Sequence, residues 1–340
     1  MTMTQDQKLV ANFYETFGNK AKGRLVDIQD GPIVCTFVFE PDDAASISKL
    51  LKAIKETNNA VLLPYNNRMI IQITKEERKN ILFTDLIETP VYKQTSAILP
   101  MILGVDTAGE TVVKDLIKMP HLLVTGRTGC GKSVCLMAML KSITTKLSPE
   151  ECKLVIFDPI SCDYPHCWNQ DEHMLWPVIT AVDFKKIDLI MKIIDDRYQT
   201  LVDNGVSNVL EYREKNHKQD MPYIVIAMDE LAYYMQTNKR HTERFVKAVC
   251  GKGRAVGVHL ILATQRPDKE NLTLTIKACF PSQLCFHAVN TKDSIQMFGE
   301  PGAEKLLACG DMLYGDAGRV PVRIHCAYLT DDDVTRTYQK

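Results

Sequence analysis

Gly126-Arg127-Thr128-Gly129-Cys130-Gly131-Lys132-Ser133 reads G-x-x-x-x-G-K-S. Leu122, Leu123 and Val124 lead into it as a strand, and a helix leaves it at Gly131. Glycines let several backbone N–H groups turn toward one phosphate chain, and the helix start adds its positive end. Lys132 can reach the β and γ phosphates, and the Ser133 hydroxyl can hold Mg²⁺. The nucleotide-binding stretch is therefore Gly126 to Ser133, continued by Val134.

Two other chain segments end in residues of matching chemistry. The apolar run PYIVIAM is followed by Asp229-Glu230. An acid after a buried strand is placed to hold the Mg²⁺ that Ser133 also serves, so Asp229 is assigned to the metal. The second carboxylate, Glu230, is assigned as the general base for the attacking water. The run VHLILAT ends in Thr264-Gln265-Arg266-Pro267, where Gln265 can sense a γ-phosphate or orient water. KLVIFD ends in Asp158-Pro159, which reads as a strand cap.

Positioning these residues calls for strands alternating with helices. From residue 120 the order is HLLVTG, a helix to about Lys146, KLVIFD, a helix from Asp183 to Val202, PYIVIAMDE, a helix over 241–252, VHLILAT and SQLCFHAV. Such alternation of branched apolar strands with helices means a mainly parallel sheet covered on both faces, with ligands at the strands' carboxyl ends. In the long helix Ile187, Ile190, Met191, Ile194, Tyr198 and Leu201 share the core face.

Upstream, a short helix is expected over 7–17, then the strand IVCTFVFE. Asp42-Asp43 should cap a helix whose apolar face carries Ile47, Leu50, Leu51 and Ile54. AVLLPY and RMIIQI then form a hairpin turning at Asn66-Asn67. The expected organisation is a small α/β domain over 1–90, a connecting hairpin over 91–119 turning at 106–109, and a P-loop domain over 120–340. A last hairpin turns at Gly315-Asp316-Ala317-Gly318.

The net charge of −1 excludes a globally basic nucleic-acid binder, and no apolar run reaches the ~20 residues of a membrane span. Eleven cysteines scattered through strands and helices fit reduced thiols and a cytoplasmic location better than a disulfide framework. Cys162, His166, Cys167 and His173 lie close together, but their spacing matches no usual zinc pattern.

The segments PHLLVTGRTGCGKS, YIVIAMDE, GKGRAVGVHLILATQRP and PGAEKLLACGDMLY, in this order, resemble the motor domain of the FtsK/SpoIIIE DNA translocases. LPMILGVDTAGETVVKDLIKMPH and DDRYQTLVDNGVSNVLEYREK extend the resemblance to roughly residues 25–330, and GAE…GDMLY is its most specific part. The resemblance implies a RecA-like P-loop ATPase in a homo-oligomeric ring, a hexamer, that moves double-stranded DNA with ATP and Mg²⁺. It implies nucleotide binding by Lys132 and Ser133, magnesium at Asp229, water activation by Glu230 and a sensor at Gln265. Residues 1–90 become the ring-forming domain. No membrane region or winged-helix module is expected within the 340 residues.

A ring repeats each subunit's loops, so single basic residues can build a basic channel. Lys305, in GAEKLL, and Arg319, at the last hairpin's turn, are the candidate DNA contacts, with Asn238-Lys239-Arg240-His241 behind them. Three positions depart from the family pattern. Cys130 stands where Ser is usual, and Ile160 replaces the Lys of D-P-K. Ile295 stands where an arginine reaching a neighbour's γ-phosphate is frequent, so Arg266 and Arg254 become the candidates for that role. Competing readings are a motor of a conjugation or protein-secretion apparatus, and an assembly module that binds ATP without turnover.

Overall fold

The computed structural model describes residues 10–11, 13–18, 22–56, 60–65, 68–75, 79–160, 164, 166–216, 221–316 and 319–335. They divide into two compact units, 1–80 with 105–110, and 81–104 with 111–340.

In the first unit, alternating apolar residues build a four-stranded antiparallel sheet. Its strands are β1 (Gly23–Asp30), β2 (Val34–Pro41), β3 (Ala60–Tyr65) and β4 (Arg68–Thr74), in the order β1-β2-β4-β3. Helix α1 (Ala44–Glu56) lies between β2 and β3 in the chain, and Asp43 caps its start, accepting the Ser46 amide at 2.6 Å. The apolar core gathers Phe13, Phe17, Phe37, Phe39, Leu50, Met69 and Ile71. Ser46, Leu50 and Ala53 centre the buried face of α1, with Ile47 at its margin. Strand β1 is absent from the sequence expectation. Of the expected helix over 7–17, residues 7–9 and 12 lie outside the described residues, and Tyr14–Gly18 forms a wide i→i+5 turn. The Asn66-Asn67 turn also lies outside them.

The second unit holds the short helices α2 (Phe83–Ile87) and α3 (Pro90–Lys93) and a nine-stranded sheet. In chain order its elements are β5 (Pro100–Asp106), β6 (Thr111–Asp115), β7 (Leu122–Thr125), α4 (Lys132–Lys146), β8 (Cys152–Phe157), α5 (Phe184–Asp203), α6 (Val209–Asn216), β9 (Tyr223–Met228) and α7 (Leu231–Val256). There follow β10 (Val258–Thr264), α8 (Leu274–Lys277), β11 (Ser282–Phe286), α9 (Thr291–Phe298), β12 (Asp311–Asp316), β13 (Val322–His325) and α10 (Asp331–Thr335). The strand order is β6-β5-β13-β12-β11-β7-β10-β9-β8. Strands β11, β7, β10, β9 and β8 run parallel to one another, and β12 and β13 add an antiparallel hairpin that pairs antiparallel with β11. Every residue of β7, β9 and β10 is buried, as continuous apolar runs in a covered parallel sheet should be.

Two helices differ from expectation. Helix α7 begins directly after Glu230 and runs to Val256, kinked at Asn238, whose φ of −154° is not helical. The Asn238 side chain accepts the His241 amide at 3.1 Å, restarting the helix there. On α5, Ile187, Ile190, Met191, Ile194 and Leu201 are buried as expected, but Tyr198 is exposed, with the Lys252 ammonium 5.3 Å from its ring centre.

Candidate nucleotide site

The parallel order β7-β10-β9 brings three strand ends side by side, with Thr264 of β10 opposite Thr125 of β7 and Leu262 opposite Met228 of β9. The loop after β7, Thr264-Gln265-Arg266 after β10 and Asp229-Glu230 after β9 therefore share one edge, the carboxyl edge where open α/β sheets take ligands.

The loop is shaped by its glycines. A Cβ at Gly126 would stand 2.7 Å from both Cys130 Sγ and Phe286 Cβ, so a side chain there displaces the loop. Gly131 has φ +97° and hands the chain to α4, whose first turn leaves amides for an anion. Gly126 donates its amide to the Thr264 carbonyl at 3.3 Å, tying the loop to β10.

Lys132 and Asp229 form a buried ion pair through Nζ and Oδ1, their side chains 3% and 2% exposed. Ser133 Oγ lies 3.4 Å from Asp229 Oδ2. Hydroxyl and carboxylate oxygens are what Mg²⁺ takes, and it binds through one or two such groups plus phosphate and water. The donor set fits that ion, and the loop with the Lys132 ammonium fits a nucleotide's phosphates. Glu230 is equally buried and its carboxylate is held by three donors: the Thr264 hydroxyl at 2.9 Å, the Gln265 amide at 3.0 Å and the Ala232 amide at 3.3 Å. The Gln265 side chain accepts from the Thr128 hydroxyl of the phosphate loop.

Arg266 is exposed just beyond this cluster, its amide bonded to Thr264 Oγ1 at 3.1 Å. Arg254 is also exposed, but it precedes the start of β10, about 20 Å of strand away from the Thr264 end. Asp158, at the end of β8, accepts the Ile160 amide at 3.2 Å, a strand-end turn. Lys305, on the one-turn helix Ala303–Lys305, and Arg319 are exposed. Arg319 Nη1 stands 3.4 Å from Asp316 Oδ2. Ala317 and Gly318 of that turn lie outside the described residues. Lys239 and Arg240 are exposed at the α7 kink, whereas His241 pairs with Asp188 at 3.0 Å. Both ring nitrogens of His173 are engaged, with Asp171 Oδ1 at 2.7 Å and the Leu147 carbonyl at 3.0 Å. No metal-holding group of three such side chains occurs among the described residues.

A sequence profile of the FtsK/SpoIIIE family matches residues 83–269, more than half of the chain. The chain belongs to this family of P-loop ATPases. The DNA translocase FtsK of Rickettsia typhi is 31% identical, over 93% of this chain and 48% of that protein. That of Caulobacter vibrioides is 31% identical over 98% and 45%. The chain thus spans about half the length of these curated relatives. Among solved structures, the pCW3 conjugation coupling protein TcpA, in its monomer form with ATPγS, has a TM-score of 0.66 at 21% identity. It covers 95% of this chain and 93% of that one. The cytoplasmic domain of the Thermomonospora curvata type VII secretion ATPase EccC has a TM-score of 0.64 at 20% identity, covering 76% and 34%. At these identities the likeness concerns the fold, that of P-loop ATPase motor domains.

The GAE…GDMLY stretch meets the phosphate loop directly. Gly310 donates its amide to the Cys130 carbonyl at 2.8 Å, and Cys309 Sγ lies 3.8 Å from the Gly129 carbonyl. Behind it, Arg323 clasps Asp311 through Nε at 3.1 Å and its terminal nitrogen at 2.6 Å, both side chains buried. Asp311 also accepts the Leu307 amide at 2.8 Å. Sequence reasoning placed Thr128 in the nucleotide-binding loop but did not find its bond to Gln265, nor Thr264 or Gly310 as partners of the site. The TQRP tetrad and the GDMLY motif held the only signals.

Proposed function

We propose that this chain is an ATP-driven motor that moves along double-stranded DNA as a homo-oligomeric ring, a hexamer, hydrolysing ATP at its subunit interfaces. The observation that carries the reading is the meeting of Lys132, Ser133, Asp229 and Glu230 at adjacent parallel strand ends. The loop from Gly126 through Val134 would wrap the phosphates, with Lys132 leaving Asp229 to neutralise them. Ser133 and Asp229 would hold Mg²⁺, which would offset the charge that develops on the phosphates. Glu230 would take the proton of the attacking water, and Gln265 would sense the γ-phosphate. Arg266 or Arg254 would serve a neighbour's nucleotide in place of an arginine at Ile295. Residues 1–90 would form the ring platform, 91–119 the connector and 120–340 the motor, working in the cytoplasm with Lys305 and Arg319 on the DNA backbone. DNA as the substrate follows the named activity of the FtsK relatives.

The deciding experiment is ATP hydrolysis by the purified chain with and without long duplex DNA, beside Lys132→Ala and Glu230→Gln. Strong stimulation by duplex, abolished in both variants, is the expected result. Robust turnover indifferent to DNA would favour the second reading, a motor of a conjugation or secretion apparatus, which rests on the fold likeness to TcpA and EccC. Nucleotide binding without turnover would leave an assembly module.

A further inference from the structure

Thr264 is the last residue of β10 and is fully buried. Its hydroxyl accepts the Arg266 amide hydrogen at 3.1 Å and lies 2.9 Å from Glu230 Oε1. An ionised carboxylate only accepts, so the single hydroxyl hydrogen belongs to the Glu230 contact. The Arg266 amide fills the hydroxyl's acceptor side and fixes its rotation. With Ala232 and Gln265, three donors fill three of the carboxylate's roughly four acceptor positions, and one remains.

The backbone beneath this carboxylate is strained. Glu230 has φ 61° and ψ 75°, a left-handed conformation that a non-glycine residue keeps only when its surroundings over-determine it. Two of the three donors are backbone amides, delivered by the start of α7 and by the turn after β10. The third is the only side chain among them, and its removal leaves both backbone donors to Glu230 in place while freeing the Arg266 amide that it accepts. A catalytic base works when a further group fixes its orientation.

We propose that Thr264 is a positioning residue for Glu230: its hydroxyl pins Oε1 so that the remaining acceptor position stays presented to the attacking water. This deepens the reading of Glu230 as general base and rests on it. The Thr264 hydroxyl then acts on the chemical step through Glu230. Nucleotide binding, carried by the phosphate loop and Lys132, does not need it.

The test is steady-state ATP hydrolysis by the full chain with long duplex DNA, with ATP affinity from calorimetry, for Thr264→Val, Thr264→Ser and Glu230→Gln. Valine keeps the shape and removes the hydroxyl. It should lower kcat about 10- to 100-fold, a part of what a general base supplies, with KM and ATP affinity within about twofold of wild type. Serine keeps the donor and should restore most of the rate. A Val variant with normal kcat, a Ser variant as slow as Val, or a loss of ATP affinity matching the loss of rate would each overturn the proposal. Glu230→Gln separates the two levels. If it turns over normally, the base reading fails and takes this proposal with it. If it is dead while Thr264→Val is normal, only this proposal fails. Should Thr264→Val not fold, Thr264→Cys, a weaker donor of similar size, carries the same expectations.

Discussion

The amide of Gly310 donates a 2.8 Å hydrogen bond to the carbonyl of Cys130, so residues 180 positions apart join the GAE…GDMLY stretch to the phosphate loop. Gly310 has φ +98°, and a Cβ there would stand 3.1 Å from Cys326 Sγ and 3.3 Å from His325 Nε2. Gly310→Ala should therefore cost about 1–3 kcal/mol of stability and weaken ATP binding, because the strained loop retreats from Cys130. Thermal unfolding with and without ATP measures both. A variant that melts and binds as wild type would show that the contact does not brace the loop.

The Lys132–Asp229 pair sets a second expectation. Both side chains are almost fully buried, so removing one partner leaves the other's charge desolvated. Lys132→Ala should destabilise the nucleotide-free protein by about 3–5 kcal/mol in urea unfolding. Lys132→Met combined with Asp229→Asn should cost less than the sum of the single changes, since no lone charge remains. Strict additivity would mean that the two groups do not interact.

These two contacts show what sequence could and could not deliver. The phosphate loop and the Asp229-Glu230 pair are local patterns, and a parallel sheet brings strand ends together by construction. Thr264 holding Glu230, and Gly310 holding Cys130, are contacts between adjacent chain segments far apart in sequence, with no periodicity to reveal them. Strand β1 escaped notice because it is an edge strand: Arg24, Asp27, Gln29 and Asp30 interrupt its apolar residues, and a bulge between Leu25 and Asp27 breaks the alternation. The first turns of α7 escaped because Asn238 breaks the helical pattern between them and the rest. Tyr198 kept the right spacing yet faces solvent under Lys252, since a phenol at the edge of a helical stripe can lie flat on the surface.

A pair of histidines at the opposite end of the strands gives a pH dependence. Burial lowers His121 to about 3, helped by His259, and lowers His259 to about 4, with Arg254 adding to the burial and Pro120 and Asp115 opposing it. The Leu260 amide donates to His121 Nδ1 at 3.1 Å, a bond that a protonated ring cannot accept. His259 Nδ1 donates to the Pro120 carbonyl at 2.9 Å. In the unfolded chain both would take a proton near 6.5, so below that pH the unfolded state holds more protons and folding weakens. Stability should be full above about pH 6.5 and fall by up to about 1.4 kcal/mol per pH unit for each histidine on the way to about pH 4. Urea unfolding at about pH 7, 6 and 5 reads the slope, and His259→Asn should flatten it. A pH-independent midpoint across that range would contradict the assignment.

Lys305 and Arg319 give a test of the DNA reading. The Arg319–Asp316 pair is a surface contact, its arginine side chain 77% exposed, worth little and free to exchange for a phosphate. Lys305→Ala and Arg319→Ala should each weaken duplex binding without changing sequence preference. Where a substitution removes one phosphate interaction, the slope of log affinity against log salt should shrink by about 0.9. ATP affinity without DNA should not change. Unchanged salt slopes in both variants would move the DNA path elsewhere.

In the proposed ring, the arginine that would serve a neighbour's site can be found by mixing subunits. Ile295 is half exposed on α9 and has no charge to offer. Arg266 follows Gln265, whose side chain is bonded to Thr128 of the phosphate loop, so it stands at the rim of the nucleotide site. Arg254 lies at the far end of β10. A rim residue is the better placed to enter an interfacial site, so Arg266→Ala should abolish turnover in the assembled protein. Arg266→Ala subunits keep Glu230, and Glu230→Gln subunits keep Arg266. Where one of each meets, the first supplies the base and the second the arginine, so mixing two inactive variants should restore turnover. An arginine acting on its own subunit's nucleotide gives no such rescue. Recovery with Arg254→Ala subunits and none with Arg266→Ala would assign the role to the other end of the strand.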